Sequence, residues 1–84
     1  MKTDIEGVVG KIAERSEDYS MPGRVRGTLK KVLKDLQKKD QDLAIRVTTA
    51  VYDIDEVVND INIPMHAKTA LWDIISDLEA IRGS

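Results

Sequence analysis

The 84 residues carry a formal net charge of -2 at pH 7 and include no cysteine. Disulfide bonds and thiolate chemistry are therefore excluded, and the bulk charge does not favour binding to nucleic acid. A chain of this length predicts one domain, spanning residues 1–84, rather than two.

The first predicted helix, at about residues 4–18, is indicated by apolar residues at helical spacing. These are Ile5, Val8, Val9 and Ile12. Thr3 and Glu6 are three residues apart and match a capping box at its start. Gly7 and Gly10 lie inside this helix, where glycine weakens helical structure. Close approach of a neighbouring helix or a frayed helix would explain these glycines, as it would Gly27 further along the chain.

The second predicted helix, at about residues 22–38, begins at Pro22, because proline is tolerated in the first turn of a helix. Asp40 is the predicted cap of a third helix, at about residues 41–60. Pro64 begins a fourth, at about residues 64–82. No segment alternates between apolar and polar residues over any length, so the sequence predicts an all-α fold.

The two halves of the chain repeat each other at an offset of 42 residues, which places Pro22 on Pro64. The repeat also superimposes Val9 on Val51, Ile12 on Ile54, Asp18 on Asp60, Leu29 on Leu71 and Asp35 on Asp77. Paired helices with a period near 40 residues resemble HEAT repeats. We therefore expect a single helical domain of two helix-turn-helix hairpins, at about residues 4–38 and 41–82, that form a four-helix bundle.

Two hairpins are fewer than the three or more that usually bury a continuous core in a stack. They can close on each other as a compact bundle, or continue the stack through a second subunit. The sequence therefore predicts a four-helix arrangement that forms a homodimer.

Charge is distributed unevenly along the chain. Residues 24–39 carry seven basic groups against Asp35, a net of +6, whereas residues 40–84 carry a net of -6. The basic segment offers candidates for binding nucleic-acid phosphates: Arg24, Arg26, Lys30, Lys31, Lys34 and Lys38. It has no aromatic residue for base stacking, so a solvated face or pairing with acidic groups is favoured. A membrane-surface helix is disfavoured, because its apolar side is needed for the core.

Carboxylates recur at helical spacing on the third predicted helix, at Asp53, Glu56 and Asp60. Di-iron bundles instead use inward-facing Glu-x-x-His pairs, and no histidine lies near this stripe. We expect a solvated acidic face, with salt bridges to the second helix as the alternative, and neither a metal site nor a cofactor.

Trp72 aligns with Lys30 rather than with a core leucine, and Met65 lies seven residues earlier on the same side of the fourth helix. Trp72 either packs under the third helix or a loop, or forms an interface patch with Met65. The leading partner for such a patch is another copy of the chain.

His66 is the single histidine of the chain. It lacks a candidate nucleophile or carboxylate partner within its helix, and we expect it to bond backbone groups at the hairpin turn. No phosphate-binding loop, HExxH motif or nucleophile elbow is present. The sequence therefore predicts a protein that is not an enzyme and has no catalytic residue.

The C-terminal third contains a distinctive pattern, which consists of Pro64, His66, Lys68, Thr69, Trp72, Ser76, Leu78 and Glu79. It resembles a family of short, all-helical archaeal proteins known only as an uncharacterised protein family, although arginine is more usual at the position of Lys68. The Pro22–Arg26 turn also fits this family, so the resemblance extends over most of the chain. It implies an archaeal, cytoplasmic protein with a helical bundle, and it implies no activity.

These observations predict a small helical interaction or scaffold protein that self-associates and has an unidentified protein partner. A nucleic-acid or ribonucleoprotein accessory domain that uses the basic second helix is the alternative. No apolar run approaches the roughly 18–20 residues of a membrane span, so no membrane association is expected. The N-terminal residues lack the apolar core of a signal peptide.

Overall fold

A computed structural model describes residues 4–83. It contains the helices α1 (Ile5–Ser16), α2 (Gly23–Leu36), α3 (Leu43–Val58) and α4 (Met65–Arg82). Residues 4–83 contain no strand. The predicted all-α fold of four helices is therefore confirmed, and each predicted boundary lies within two residues of the observed one.

The caps of α1 and α3 differ from those that the sequence predicts. Asp4 caps α1, because its Oδ1 accepts a hydrogen bond from the Gly7 backbone N–H at 2.7 Å. Thr3, the predicted cap, lies outside the described residues. The prediction of Asp40 for α3 is wrong, since the residue at the cap is Asp42 and its side chain makes no capping bond. Extended backbone at Asp42 (φ -58°, ψ 147°) starts α3 without that bond.

The turns inside the two hairpins share their hydrogen bonds. In the α1–α2 turn, Asp18 Oδ1 accepts from the Ser20 backbone N–H at 2.9 Å. In the α3–α4 turn, Asp60 Oδ1 accepts from the Asn62 backbone N–H, also at 2.9 Å. A short side chain that bonds the backbone two residues on stabilises such a turn. The two turns, which are 42 residues apart, thus share a hydrogen bond as well as an aligned aspartate.

Each helix packs against its neighbour in the chain, and α1 also packs against α4. All four helices contribute to one apolar core, whose largest fully buried side chains are Ile12, Leu29, Ile54, Leu71, Ile74 and Leu78. The Cα radius of gyration is 12.0 Å. A compact chain of this length is expected at about 12 Å. The two hairpins therefore close on each other.

None of the four helices combines the length and the apolar composition that crossing a bilayer requires, over the part of the chain that the structure describes.

Candidate interaction surface and charged seams

The two interface candidates of α4 lie on its outer side. The core-facing side of this helix is formed by Ala67, Leu71, Ile74 and Leu78. Trp72 is 51% exposed and Met65 is 65% exposed. Because they are seven residues apart, both side chains leave the same side of the helix. The structure thus presents them together on the surface of the α3–α4 hairpin.

Four further large apolar side chains on this hairpin are exposed. Ile45 and Tyr52 of α3, which the sequence reasoning missed, are 52% and 68% exposed, and Leu43 and Ile61 are 38% and 88% exposed. Tyr52 follows Val51 directly and therefore falls outside the apolar stripe. The repeat carries the signal that reveals it, since the counterpart of Tyr52 is Gly10 and that of Trp72 is Lys30. The second hairpin thus displays aromatic rings where the first has a glycine and a lysine.

Three of the predicted phosphate-binding residues are engaged in ion pairs. Arg24 pairs with Asp60 of the α3–α4 turn. Lys31 Nζ lies 3.5 Å from Asp53 Oδ1 of α3. Lys38 follows the end of α2, and its Nζ lies 3.6 Å from Asp35 Oδ1 of that helix. Pairing with acidic groups, which the sequence favours for this segment, is what the structure contains at these positions.

Arg26 is also engaged. Its Nε donates a hydrogen bond to the Met21 carbonyl at 3.2 Å, and its guanidinium lies 4.5 Å from the centre of the Tyr19 ring. Within residues 4–83, Lys30 and Lys34 have no ion-pair partner. The nucleic-acid alternative stays a prediction, and these internal contacts give it no support.

The acidic stripe of α3 is not a solvated face, so this prediction is wrong. The side chains of Asp53 and Asp60 are only 13% and 12% exposed, whereas Glu56 is exposed. The prediction failed because it considered only the distance of the stripe from the core. One edge of the stripe lies along α2, and the basic side chains of α2 cover Asp53 and Asp60.

We define the α2–α3 seam by Asp35 and Asp53, the carboxyl groups where these helices meet. Burial raises the pKa of Asp53, and the neighbouring Asp35 carboxyl raises it further, whereas Lys31 lowers it. Oδ2 of Asp35 and Oδ2 of Asp53 are buried without a hydrogen-bond partner among the described residues. This seam therefore holds two carboxyl groups whose hydrogen bonding is incomplete.

The contact between α1 and α4, here called the α1–α4 seam, is an ion-pair cluster formed by Lys11, Asp73 and Asp77. Lys11 Nζ lies 2.8 Å from Asp73 Oδ2 and 2.6 Å from Asp77 Oδ2. Hydrogen bonds to Asp73 and then to Asp77 raise the pKa of Lys11. The protonated amine thus links the first hairpin to the last helix.

His66 connects the two hairpin turns. Its Nε2 lies 2.8 Å from the Ser20 carbonyl oxygen. Because a carbonyl oxygen only accepts hydrogen bonds, Nε2 carries the proton and donates it. Arg24, the repeat counterpart of His66, crosses to the other turn at Asp60. His66 thus bonds a backbone group at a hairpin turn, as the sequence predicts.

A shallow cavity of about 380 Å³ opens between α1 and the α2–α3 connection. Ile5, Val9 and Leu36 form its apolar lining, and Arg46 lies at its edge. The Arg46 guanidinium donates to the carbonyls of Leu36 and Gln41, at 2.7 and 3.1 Å. These two hydrogen bonds of Arg46 hold the α2–α3 connection against α3.

The fold and these sites define a small all-α bundle held by an apolar core and by charged seams between its hairpins. No group of three or more His, Asp or Glu side chains is placed to hold a metal ion within residues 4–83.

The chain belongs to UPF0147, an uncharacterised protein family, which it matches over residues 1–81. It is 41% identical over 66 residues to a UPF0147 protein of Methanothermobacter thermautotrophicus. This alignment covers 79% of the chain but 65% of that relative, slightly less than two thirds of its length. A UPF0147 protein of Methanocaldococcus jannaschii is 31% identical over 78 residues, which cover 93% of this chain and 84% of the relative.

Solved structures show the same fold. The crystal structure of a UPF0147 protein from Thermoplasma acidophilum superimposes with a TM-score of 0.86 at 34% identity, over 90% of this chain and 89% of the other. The crystal structure of MMP1188, an unknown function protein, gives a TM-score of 0.85 at 28% identity, over 96% and 97%. The family is of unknown function, and its description indicates no catalytic activity.

Proposed function

We propose that this protein is a small helical interaction module that self-associates through the outer face of its α3–α4 hairpin. The observation that carries the proposal is the half-exposed Trp72 on the same side of α4 as the exposed Met65. Tryptophan is enriched among the residues that dominate binding energy at interfaces. The partner we propose is a second copy of the chain, which joins two α3–α4 faces in a homodimer.

The size of the molecule is compatible with such a dimer. Its accessible surface is 5277 Å². A standard interface takes about 800 Å² from each partner, so a homodimer would cover about a seventh of this surface. The exposed apolar side chains of α3 and α4 supply an apolar centre for it. Because the bundle closes on itself, the dimer is not needed to complete the core, and the exposed rings supply the reason for association.

Three further inferences belong to this proposal. The hairpins are HEAT-like units, and the C-terminal segment from Pro64 to Glu79 is the part that distinguishes the family. The protein is cytoplasmic. It acts through binding rather than catalysis, because its single histidine, His66, is engaged with the backbone carbonyl of Ser20.

Light scattering over a concentration series, at low and at high salt, tests the dimer. We expect a molar mass near twice the 9.4 kDa of one chain, little affected by salt. Trp72→Ala should weaken the dimer at least about 30-fold, the effect of a residue worth about 2 kcal/mol. It should leave the far-UV circular dichroism unchanged, because the ring lies outside the core.

Tyr19→Ala is the matched control. Tyr19 is 80% exposed on the first hairpin and contacts Arg26 there, so its truncation removes an aromatic ring that is not part of the proposed interface. A wild-type chain that stays monomeric at high micromolar concentration would contradict the dimer. Equal weakening by both substitutions would place the interface elsewhere.

A further inference from the structure

The two carboxyl groups of the α2–α3 seam share one buried position. Asp35 is 9% exposed, and the side chain of Asp53 is 13% exposed. Each uses its Oδ1 to face a lysine, and each leaves its Oδ2 buried without a hydrogen-bond partner in the described part of the chain. Two like charges at such a position repel each other and lack the hydrogen bonds that water would give them.

The surrounding cations compensate these charges only weakly. Lys31 and Lys38 approach at 3.5 and 3.6 Å, and their side chains are 66% and 54% exposed. Ion pairs with such exposed side chains contribute little. Arg46 of α3 directs its guanidinium to backbone carbonyls. Among residues 4–83, neither α1 nor α4 contributes an ion pair to either carboxyl.

The repeat shows the same charges in a better-paired arrangement. At the offset of 42 residues, Asp77 is the counterpart of Asp35, Lys11 of Asp53 and Asp73 of Lys31. Lys11 lies within 2.8 Å of both carboxylates of its seam, whereas Lys31 pairs with Asp53 alone, at 3.5 Å. In place of the Lys11–Asp77 contact of 2.6 Å, the α2–α3 seam has two carboxyl groups. A proton on one carboxyl supplies the missing donor, because a protonated acid donates one O–H.

We propose that Asp35 and Asp53 hold one proton between them and form a proton-binding site that couples the α2–α3 seam to pH. With the proton bound, one carboxyl donates a hydrogen bond to the other across the seam that joins the two hairpins. When the proton leaves, two carboxylates face each other there and the seam is weakened.

The direction of the pH effect follows from proton linkage. Burial and the neighbouring Asp35 carboxyl raise the pKa of Asp53 in the folded chain. In the unfolded chain an aspartate titrates near about 3.9. Between these two values the folded state binds more protons, so stability falls as pH rises. The contribution of the site is fully present below about pH 3.9 and is lost as pH rises through the folded pKa.

Carbon-13 NMR of the side-chain carboxyls of the full chain, titrated from about pH 2 to about pH 8, tests the site directly. We expect the Asp53 carboxyl to titrate with a midpoint above the ordinary value of about 3.9, and the Asp35 carboxyl carbon to change its chemical shift in the same step. A midpoint for Asp53 at or below that value would overturn the proposal.

Variants test the coupling to stability. Asp53→Asn keeps the shape and removes the charge, and Asp53→Lys introduces the base found at the α1–α4 seam. Urea unfolding from about pH 3 to about pH 8 gives the folding equilibrium constant of each variant and of the wild type. The ratio of the variant's constant to the wild-type constant should increase with pH. For Asp53→Asn, this ratio should increase about tenfold for each unit by which the folded pKa of Asp53 is raised.

Asp55→Asn is the matched control, because Asp55 is an exposed aspartate on the same helix. Its effect relative to wild type should not change over the same pH range. A similar pH course for Asp53→Asn and Asp55→Asn would overturn the proposal. Stabilisation of the wild type but not of Asp53→Asn by millimolar MgCl₂ at pH 8 would also overturn it, since the site would then hold a cation rather than a proton.

Discussion

Asp18 and Asp60 show how single residues set the ends of helices in this protein. Each follows the last turn of a helix, and its carboxylate bonds the backbone two residues on. Asp18 also accepts a hydrogen bond from the Ser20 hydroxyl at 2.7 Å. The hydroxyl and the backbone N–H of Ser20, together with Arg15, hold the pKa of Asp18 below its usual value. The ionised form of Asp18 is therefore the one that stabilises the turn.

The α1–α2 turn should consequently lose stability in acid. Because the folded pKa of Asp18 is lowered, its contribution is present above about pH 3.9 and is lost as pH falls through the folded value. Asp18→Ala should unfold at lower urea concentration than the wild type at pH 7, and the difference should shrink below about pH 4. Asp40→Ala, at an exposed aspartate of the α2–α3 connection, is the control. A difference for Asp18→Ala that is unchanged by pH would contradict the role of the carboxylate.

At the scale of the helices, the glycines of the first hairpin distinguish it from the second. A Cβ added at Gly10 or Gly27 would meet nothing within 4 Å. Close helix approach within the chain, one of the two explanations that the sequence suggested, is therefore wrong for both. Their counterparts in the second hairpin are Tyr52 and Thr69. These glycines leave α1 and α2 less stable than other side chains at the same exposed sites would.

Alanine at these sites should stabilise the bundle. Gly10→Ala and Gly27→Ala should each raise the free energy of unfolding by about 1 kcal/mol, measured by urea denaturation. Gly7→Ala is the comparison, because its Cβ would lie 3.2 Å from the capping Asp4 Oδ1, so a smaller gain or a loss is expected. Destabilisation at Gly10 or Gly27 would indicate a close contact that the isolated chain does not make.

At the scale of the whole molecule, the four helices surround one core, so neither hairpin has an apolar interior of its own. Leu29 of the first hairpin and Leu71 of the second occupy equivalent positions, with 1% and 0% exposure. The two seams close the arrangement on either side of this core. We therefore expect the chain to unfold as one unit, in keeping with the prediction of a single domain.

Truncation of a core side chain in one hairpin should then destabilise both hairpins. Leu29→Ala and Leu71→Ala should each cost about 2–5 kcal/mol, a large part of the stability of a small domain. In both variants, Trp72 fluorescence, which reports on α4, and far-UV circular dichroism should follow the same unfolding transition. Retention of the native Trp72 signal in Leu29→Ala, while the circular dichroism falls, would show that the hairpins unfold separately.

Several structural errors of the sequence reasoning occurred on the flanks of helices. Apolar spacing identifies the side of a helix that faces the core, but it does not identify which neighbour lies along each flank. Asp53 and Asp60 were therefore predicted to be solvated, although the basic groups of α2 cover them. The exposure of Tyr52 was not predicted for a related reason. An aromatic side chain next to the apolar stripe is buried or exposed according to how the neighbouring helix packs.

The sequence by itself determined the four helices, their turns and the repeat, because helical periodicity, proline and turn carboxylates act within a few residues of the chain. Only the tertiary structure decided that the hairpins close on each other and that Asp35 meets Asp53 while Lys11 meets Asp77. Those contacts join residues on different helices. Their charges and hydrogen bonds take effect only when packing excludes water and brings the groups together.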